Sequence, residues 1–383
     1  MRRYIMFIMT EEQKEMVSLA KKFAENEVKP YSQQMDEEMK FIPGLVQKLA
    51  DIGFMGINVP EEYGGTGMDD VTKSLVIAEI AKVDASLAEL LSVHTLSSDI
   101  ILRNGNEEQK EKYLRKACEG FVGAFALTEP EAGSDAAAAK TKAIADGNDY
   151  VIDGTKCFIS NMGPDEGDYV ILIALTDPEK KTRGMSAIIV DRGTPGFTIG
   201  KTENKMGLRA APVSELIFDN CRVPKTQLLG QEGRGFMIAM AGLDGGRIGM
   251  AAQAVGVAQG AIDAAVEYTG QRVQFGKPIN ANQGIQWYLA DMATNTEAAL
   301  LMTMNAARIR DEGGNCGCEA AMAKYFASEN AVEVCNKALQ LHGGYGYMKD
   351  YAIERMYRDA RIIPLYEGTS EVQKMVISRN VIK

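Results

Sequence analysis

Histidine is nearly missing from this chain: His94 and His342 are the two among 383 residues. That scarcity excludes a multi-histidine metal centre and weighs against a Ser-His-Asp hydrolase. No CxxC pair occurs among Cys118, Cys157, Cys221, Cys316, Cys318 and Cys335, so zinc ribbons and thioredoxin-type redox motifs lack support. A chain this long is no small stapled scaffold, and reduced thiols are expected. The GxGxxG, Walker A, GxSxG and HExxH patterns are absent as well. No run approaches the length of a transmembrane helix, so no membrane association is expected. Arg2 and Arg3 precede a short apolar stretch, but Glu11, Glu12 and Lys14 follow without a small-residue cleavage site. A signal peptide is therefore not expected. Residues 1–8 read as an extension before a second possible start at Met9, and a cytoplasmic location is expected. An excess of positive charge is also lacking: Lys plus Arg is 42 against 52 for Asp plus Glu, a net charge of −10. That balance argues against nucleic acid as a partner.

What is present is ordinary for a globular protein, with 46% hydrophobic and 25% charged residues. The length predicts two or three domains. Thr10-Glu11-Glu12-Gln13 is a capping-box pattern, and Met16, Leu19, Ala20, Phe23 and Val28 follow at helical spacing. Further helices are predicted over 43–52, over a segment with Val76, Ile80 and Val83 on one face, through Leu90 and Ile101, and over 107–114. Near Gly123 the pattern changes to strand-like runs at 150–152, 169–173, 185–190 and 214–218, with turn signals between them. This predicts a mainly antiparallel β domain. From about Gly235 the pattern is helical again, as for a bundle. The expected class is α+β and multidomain: an N-terminal helical domain at 1–122, a central antiparallel β domain at 123–232 and a C-terminal helical bundle at 233–383.

Five stretches carry candidate chemistry. From Phe125 to Asp135, the hydroxyls of Thr128 and Ser134 lie beside Pro130 and Gly133, a wall for a polar planar ligand or a capped turn between domains. Phe158 and Ser160 would share one face of a strand, presenting a ring and a hydroxyl together; the alternative buries Phe158 in the core. Arg272, Gln274 and Phe275, with Gln283 beyond, suit phosphate recognition, or end a helix with Gly276 and Pro278 as stop signals. Gln340, His342, Gly343, Gly344 and Gly346 let a ligand approach the backbone, with His342 more readily structural than a base. Glu367 is the only charge between Arg361 and Glu371. If it is buried, desolvation raises its pKa toward that of a general base. The alternative is a helix start with Thr369 or Ser370 as cap and Glu371 in the first turn.

In this order and spacing the five stretches resemble the acyl-CoA dehydrogenase family, over nearly the whole chain from Thr10 to Arg379. The resemblance implies an N-terminal helical domain, a central β domain and a C-terminal four-helix bundle. It also implies FAD and a homotetramer built as a dimer of dimers. By the resemblance Phe125, Leu127, Thr128 and Ser134 line the flavin site, with Ser134 also reaching CoA. Phe158 would lie against the isoalloxazine, and Ser160 would bond the flavin near its reactive nitrogen. Arg272, Gln274, Phe275 and Gln283 would hold the pyrophosphate and adenine of an FAD bound mainly by a neighbouring subunit. Gln340, Gly343 and Gly344 would contact the same dinucleotide, and Thr369 and Glu371 would complete the FAD site. Asp244, Arg247 and Arg379 would contact CoA, with Tyr366 and Gly368 on the substrate beside Glu367, the implied catalytic base.

The implied reaction is α,β-dehydrogenation of an acyl-CoA to a trans-2-enoyl-CoA, or its reverse, with electrons exchanged with an electron-transferring flavoprotein. Some members carry the base on the helix near Arg247, where this chain has Gly246. Leu87 stands where members selective for dicarboxylic acyl groups carry Arg. The stretch from Thr95 to Asp99 is more polar than is common there, so Asp99 reads as a helix-surface residue or as a contact to an unusual polar or cyclic acyl group. A short-chain substrate such as butyryl-CoA is expected. The alternatives are a cyclic or aryl-substituted acyl-CoA and, from another class, a non-catalytic acyl-CoA-binding scaffold. The retained Glu367 argues against the scaffold.

Overall fold

The computed structural model describes residues 7–382; the leader-like Arg2 and Arg3 lie outside the described residues. The chain opens with helices α1 (Glu11–Phe23), α2 (Ser32–Glu38), α3 (Leu45–Asp51), α4 (Asp70–Ala81), α5 (Ala85–Asn104) and α6 (Glu107–Cys118). The capping box forms: Gln13 N–H donates to Thr10 Oγ1 at 3.2 Å and Thr10 N–H to Gln13 Oε1 at 3.1 Å. Strands follow as β1 (Gly123–Ala126), β2 (Lys142–Asp146), β3 (Asp149–Ser160), β4 (Tyr169–Leu175), β5 (Met185–Asp191), β6 (Phe197–Thr202), β7 (Val213–Pro224) and β8 (Leu228–Leu229). The long helix α7 (Gly235–Gln271), a hairpin of β9 (Val273–Gln274) and β10 (Lys277–Pro278), and helices α8 (Gln283–Asp311), α9 (Gly317–His342), α10 (Ile353–Ala360) and α11 (Ser370–Val381) complete the chain.

The sheet runs β6-β7-β3-β2-β4-β5-β8, with β1 added beside β4. Its pairings are antiparallel except that β4 runs parallel to β1 and β2. Period-two alternation gives β4 two apolar faces. Tyr169, Ile171 and Ile173 face a cluster with Tyr113, Leu96 and Ile238 from the helices. Val170, Leu172 and Ala174 face Ile152, Phe218 and Val190 within the sheet. His94 pins the helices to this sheet: Gly123 N–H donates to its Nδ1 at 3.2 Å, leaving Nε2–H to donate to Met55 O at 2.9 Å.

The first and last helical segments share one core. Val76, Ile80 and Leu87 belong to the same cluster as Ala251, Ala258, Ala331 and Ala338. The one-sided apolar face expected around Val76 and Ile80 therefore becomes burial all round α4, including Lys73 and Glu79, because α1, α5, α7 and α8 pack on it from different sides. Glycines make this possible, since a Cβ at Gly256 of α7 would lie 2.2 Å from Ala78 O on α4. Helix α5 is, against the sequence expectation, long and apolar enough to cross a membrane, but nearly all of it is buried within the protein.

Asp99 is not the helix-surface residue that the sequence allowed. It is 4% exposed and paired with Arg310, which also bonds Asp70. Arg103 Nε donates to Asp99 from the other side at 2.8 Å, and Lys73 pairs with Asp70. Burial alone would push the Asp70 carboxyl up, but Lys73 and Arg310 outweigh it and hold it well below the usual carboxylate range. This closed ion cluster ties α4, α5 and α8 together.

Candidate active site

Glu367 lies in the tight turn between α10 and α11, at φ +53°, followed by Gly368 at φ +90°. A non-glycine residue in the left-handed region is uncommon and needs support from its surroundings. Three hydrogen bonds from two side chains to two carbonyls supply it. Gln373 Nε2 donates to Glu367 O at 3.1 Å and to Gly368 O at 2.8 Å, and Lys324 Nζ donates to Gly368 O at 2.7 Å. Ser370 N–H closes the turn on Pro364 O at 2.9 Å. The side chain of Glu367 is thereby sent inward, where its Oε2 is shut off from solvent and accepts no hydrogen bond. Burial pushes its pKa up to about 7, with Arg247 and Lys324 pulling the other way. That is the poise a general base needs near neutral pH.

The carboxylate rests over the backbone of α7. A Cβ at Gly246 would meet Glu367 Oε2 at 2.7 Å. The glycine that removes one possible base thus makes room for the other. Gly246→Ala is expected to displace the carboxylate and lower kcat by about 100-fold, the cost typical of an ångström-scale misplacement, with KM little changed. A kcat within about twofold of wild type would show that the close approach is unimportant. One residue on, Arg247 is 7% exposed and donates to Asp244 at 2.7 Å. Two of the residues expected at CoA are thus tied to each other. Tyr366 is bonded through its hydroxyl to Gln253 on α7.

On the sheet side, a buried pair braces the segment from Leu127 to Glu129. Lys156, fully buried, donates to Leu127 O at 2.9 Å and to Glu129 Oε1 at 2.8 Å, and Cys157 N–H donates to Thr128 O at 3.0 Å. Phe125 and Thr128 are half-buried, Leu127 is buried and Ser134 is exposed. Phe158 departs from both expectations. Strand β3 is irregular against β7 between Lys156 and Ile159, and Phe158 takes φ +57°. It therefore does not alternate regularly with Ser160, nor does it enter the core: its ring is 66% exposed, whereas Ser160 turns in to Glu89 at 2.6 Å.

A second hollow of about 410 Å³ opens where α7 ends and α9 stops. Arg272, Gln274, Gln340, Gly343 and Gly344 line it together, two stretches of sequence having met at one place. Arg272 stands 5.5 Å over the Tyr345 ring. His342 proves structural: it is buried, stacked on Tyr268 at 4.4 Å, and its Nδ1–H donates to Ala338 O at 2.7 Å. A Cβ at Gly343 or Gly344 would meet nothing within 4 Å, so the backbone borders open space that a dinucleotide can enter. The cation, the amides and the bare backbone suit a pyrophosphate. Phe275 is fully exposed beside this hollow, and Gln283 is exposed at the start of α8. Thr369 caps α11, with its Oγ1 accepting from Val372 N–H at 3.3 Å; Glu371 and Arg379 lie exposed on that helix.

Family models for the acyl-CoA dehydrogenase N-terminal, middle and C-terminal domains match residues 10–121, 124–221 and 233–382 in turn. The chain belongs to the acyl-CoA dehydrogenase family. A curated relative, "Acryloyl-CoA reductase (NADH)" of Anaerotignum propionicum, is 52% identical, over 98% of this chain and 96% of that one. The solved butyryl-CoA dehydrogenase from Megasphaera elsdenii superposes with a TM-score of 0.96 at 42% identity, covering 98% of this chain and 100% of that one. A chain in the structure presented as the electron transferring flavoprotein of Acidaminococcus fermentans, towards a mechanism of flavin-based electron bifurcation, gives a TM-score of 0.97 at 45% identity, covering 98% and 99%. As an acyl-CoA dehydrogenase the protein is an oxidoreductase acting on CH–CH bonds, and it binds FAD.

Several residues of this acyl-CoA dehydrogenase site escaped the sequence reading. Lys324 is fully buried, and burial brings its pKa down to about 8 against the pull of Glu367. Glu89, 2% exposed, touches Ser160. Each stands as a lone charge in an apolar helical run, Leu87-Ala88-Glu89-Leu90 and Ala320-Ala321-Met322-Ala323-Lys324. That is the same signal that marks Glu367.

Proposed function

We propose that the protein interconverts short-chain acyl-CoA and trans-2-enoyl-CoA thioesters, with Glu367 as the base that takes the α-proton and, in reverse, the acid that returns it. One observation carries this reading: a carboxylate whose Oε2 is shut off from solvent and unpartnered, held over Gly246 with a pKa near 7. FAD, when bound, supplies the two-electron acceptor or donor for the hydrogen at the β-carbon. The chain's own part is to bind the thioester against α7, to keep water away from Glu367, and to hold the carboxylate still. Arg272, Gln274, Gln340, Gly343 and Gly344 take the dinucleotide of FAD, while Leu127, Thr128, Phe158 and Ser160 take its ring.

The short-chain preference rests on the cleft between α5 and α7. Beside the base it narrows to a cavity of about 10 Å³, lined by Ser92, Thr95, Leu96, Gly245 and Gly249, which holds about one water. Arg310, Asp99 and Lys73 line the same cavity, and a longer acyl tail would have to break their ion pairs. The butyryl-CoA dehydrogenase likeness points the same way. Electron exchange with an electron-transferring flavoprotein is supported by the likeness to the Acidaminococcus chain and by a sequence without a GxGxxG fingerprint. A homotetramer and a cytoplasmic location are part of the same proposal, with a neighbouring subunit covering the open dinucleotide hollow beside fully exposed Phe275.

Anaerobic titration with saturated acyl-CoAs of increasing length tests this reading. Four-carbon chains are expected to bleach the flavin and twelve-carbon chains to leave it oxidised; equal bleaching would refute the short-chain preference. The direction of the pH dependence follows from the raised pKa of Glu367. Oxidation needs the ionised form, so its rate rises with pH through about 7 and is lost below. Enoyl-CoA reduction needs the protonated form and falls over the same interval.

A further inference from the structure

Glu89 is a second carboxyl beside the base, and nothing in the mechanism above uses it. It sits on α5, 2% exposed, with Oε1 at 2.6 Å from Ser160 Oγ. Its Oε2 is sealed from solvent and has no hydrogen-bond partner. The cation that influences it, Lys205, donates to Ala211 O at 2.6 Å, and among the described residues no ion pair joins it to Glu89. The other titratable groups facing it are Tyr366 and Glu367, on the turn before α11, and neither is a cation.

An ionised carboxylate in such a place would be buried, unpaired and half-solvated, which is costly. A neutral acid has one O–H to place, and Ser160 Oγ stands within normal O–H···O distance. We propose that Glu89 is a neutral carboxylic acid that donates to Ser160 Oγ and so turns the serine's own proton outward, toward the flavin's edge. A hydroxyl has one proton to give. Were Glu89 ionised, that proton would be drawn to it and Ser160 would present only lone pairs to an oxidised flavin nitrogen that itself accepts. Burial raises the pKa of Glu89 in the direction this requires. Glu89 is thus a positioning residue acting through Ser160. The proposal rests on the reading of Ser160 as a flavin contact.

Two variants test it. Glu89→Gln keeps a donor toward Ser160 through its amide, whereas Glu89→Leu removes it. At neutral pH, infrared difference spectra of wild type against Glu89→Gln, with and without FAD, are expected to show the carbonyl stretch of a protonated acid, lost in the variant. The flavin absorbance maxima and reduction midpoint of Glu89→Gln should match wild type, while Glu89→Leu shifts both. Absence of an acid band assignable to Glu89 overturns the proposal, even if the leucine variant fails to fold. Matching flavin spectra and midpoints in Glu89→Leu and wild type, or equal shifts in both variants, also overturn it. Failure of every acyl-CoA to bleach the wild-type flavin would count instead against the function proposed above, and is read separately.

Discussion

Glu367→Gln is expected to slow flavin reduction by butyryl-CoA by about 10⁴-fold, the upper end of what a positioned general base contributes. The upper end applies because nothing nearby can replace it. The facing position on α7 is Gly246, and Glu89 is engaged with Ser160. Glutamine fills the same space over Gly246 and keeps the turn held by Gln373 and Lys324, but it cannot accept the α-proton. The dissociation constant for the acyl-CoA should change little, since the contacts that hold the thioester survive. Stopped-flow mixing under anaerobic conditions reads the two quantities separately. Reduction within tenfold of wild type would remove Glu367 from the role of base.

Arg310→Met is expected to lower stability by about 3–5 kcal/mol, through loss of a partner shared by two buried acids. Asp70 and Asp99 are 7% and 4% exposed, and both are directed at this guanidinium. Lys73 and Arg103 each retain one acid, but neither spans the gap between α4 and α5. The damage should reach the proposed acyl cleft too, because Arg310, Asp99 and Lys73 line the small cavity between α5 and α7. Denaturant unfolding of the holoenzyme measures the loss. A loss below about 1 kcal/mol in the single variant would mean that the cluster is a surface-like ion pair of little weight.

Much of this was legible in the sequence where the signal is local. The Thr10 capping box needs only four residues, and the helix it starts is present. Glu367 stood out as one charge in an apolar stretch, and burial then raises its pKa as the desolvation argument requires. Applied throughout, that criterion would also have picked out Glu89 and Lys324. The joining of Arg272 and Gln274 to Gln340 and Gly343 came through the resemblance, since no local pattern links a helix end to a glycine turn 70 residues later. What stayed hidden depends on long-range packing. The irregularity that throws Phe158 outward is set by how β3 pairs with β7. The parallel pairing of β1 with β4 joins strands separated in sequence by β2 and β3. The burial of Asp99 depends on Arg310 arriving from 211 residues away.

The central claim is that this chain exchanges hydrogen with a short acyl-CoA through a bound flavin and Glu367. The most direct test is anaerobic addition of butyryl-CoA to the purified wild-type protein, followed by flavin absorbance across pH 5.5 to 8.5. A yellow protein that bleaches, faster as the pH rises through about 7, is the predicted result. A protein that carries FAD but stays oxidised with every acyl-CoA at every pH would contradict the account.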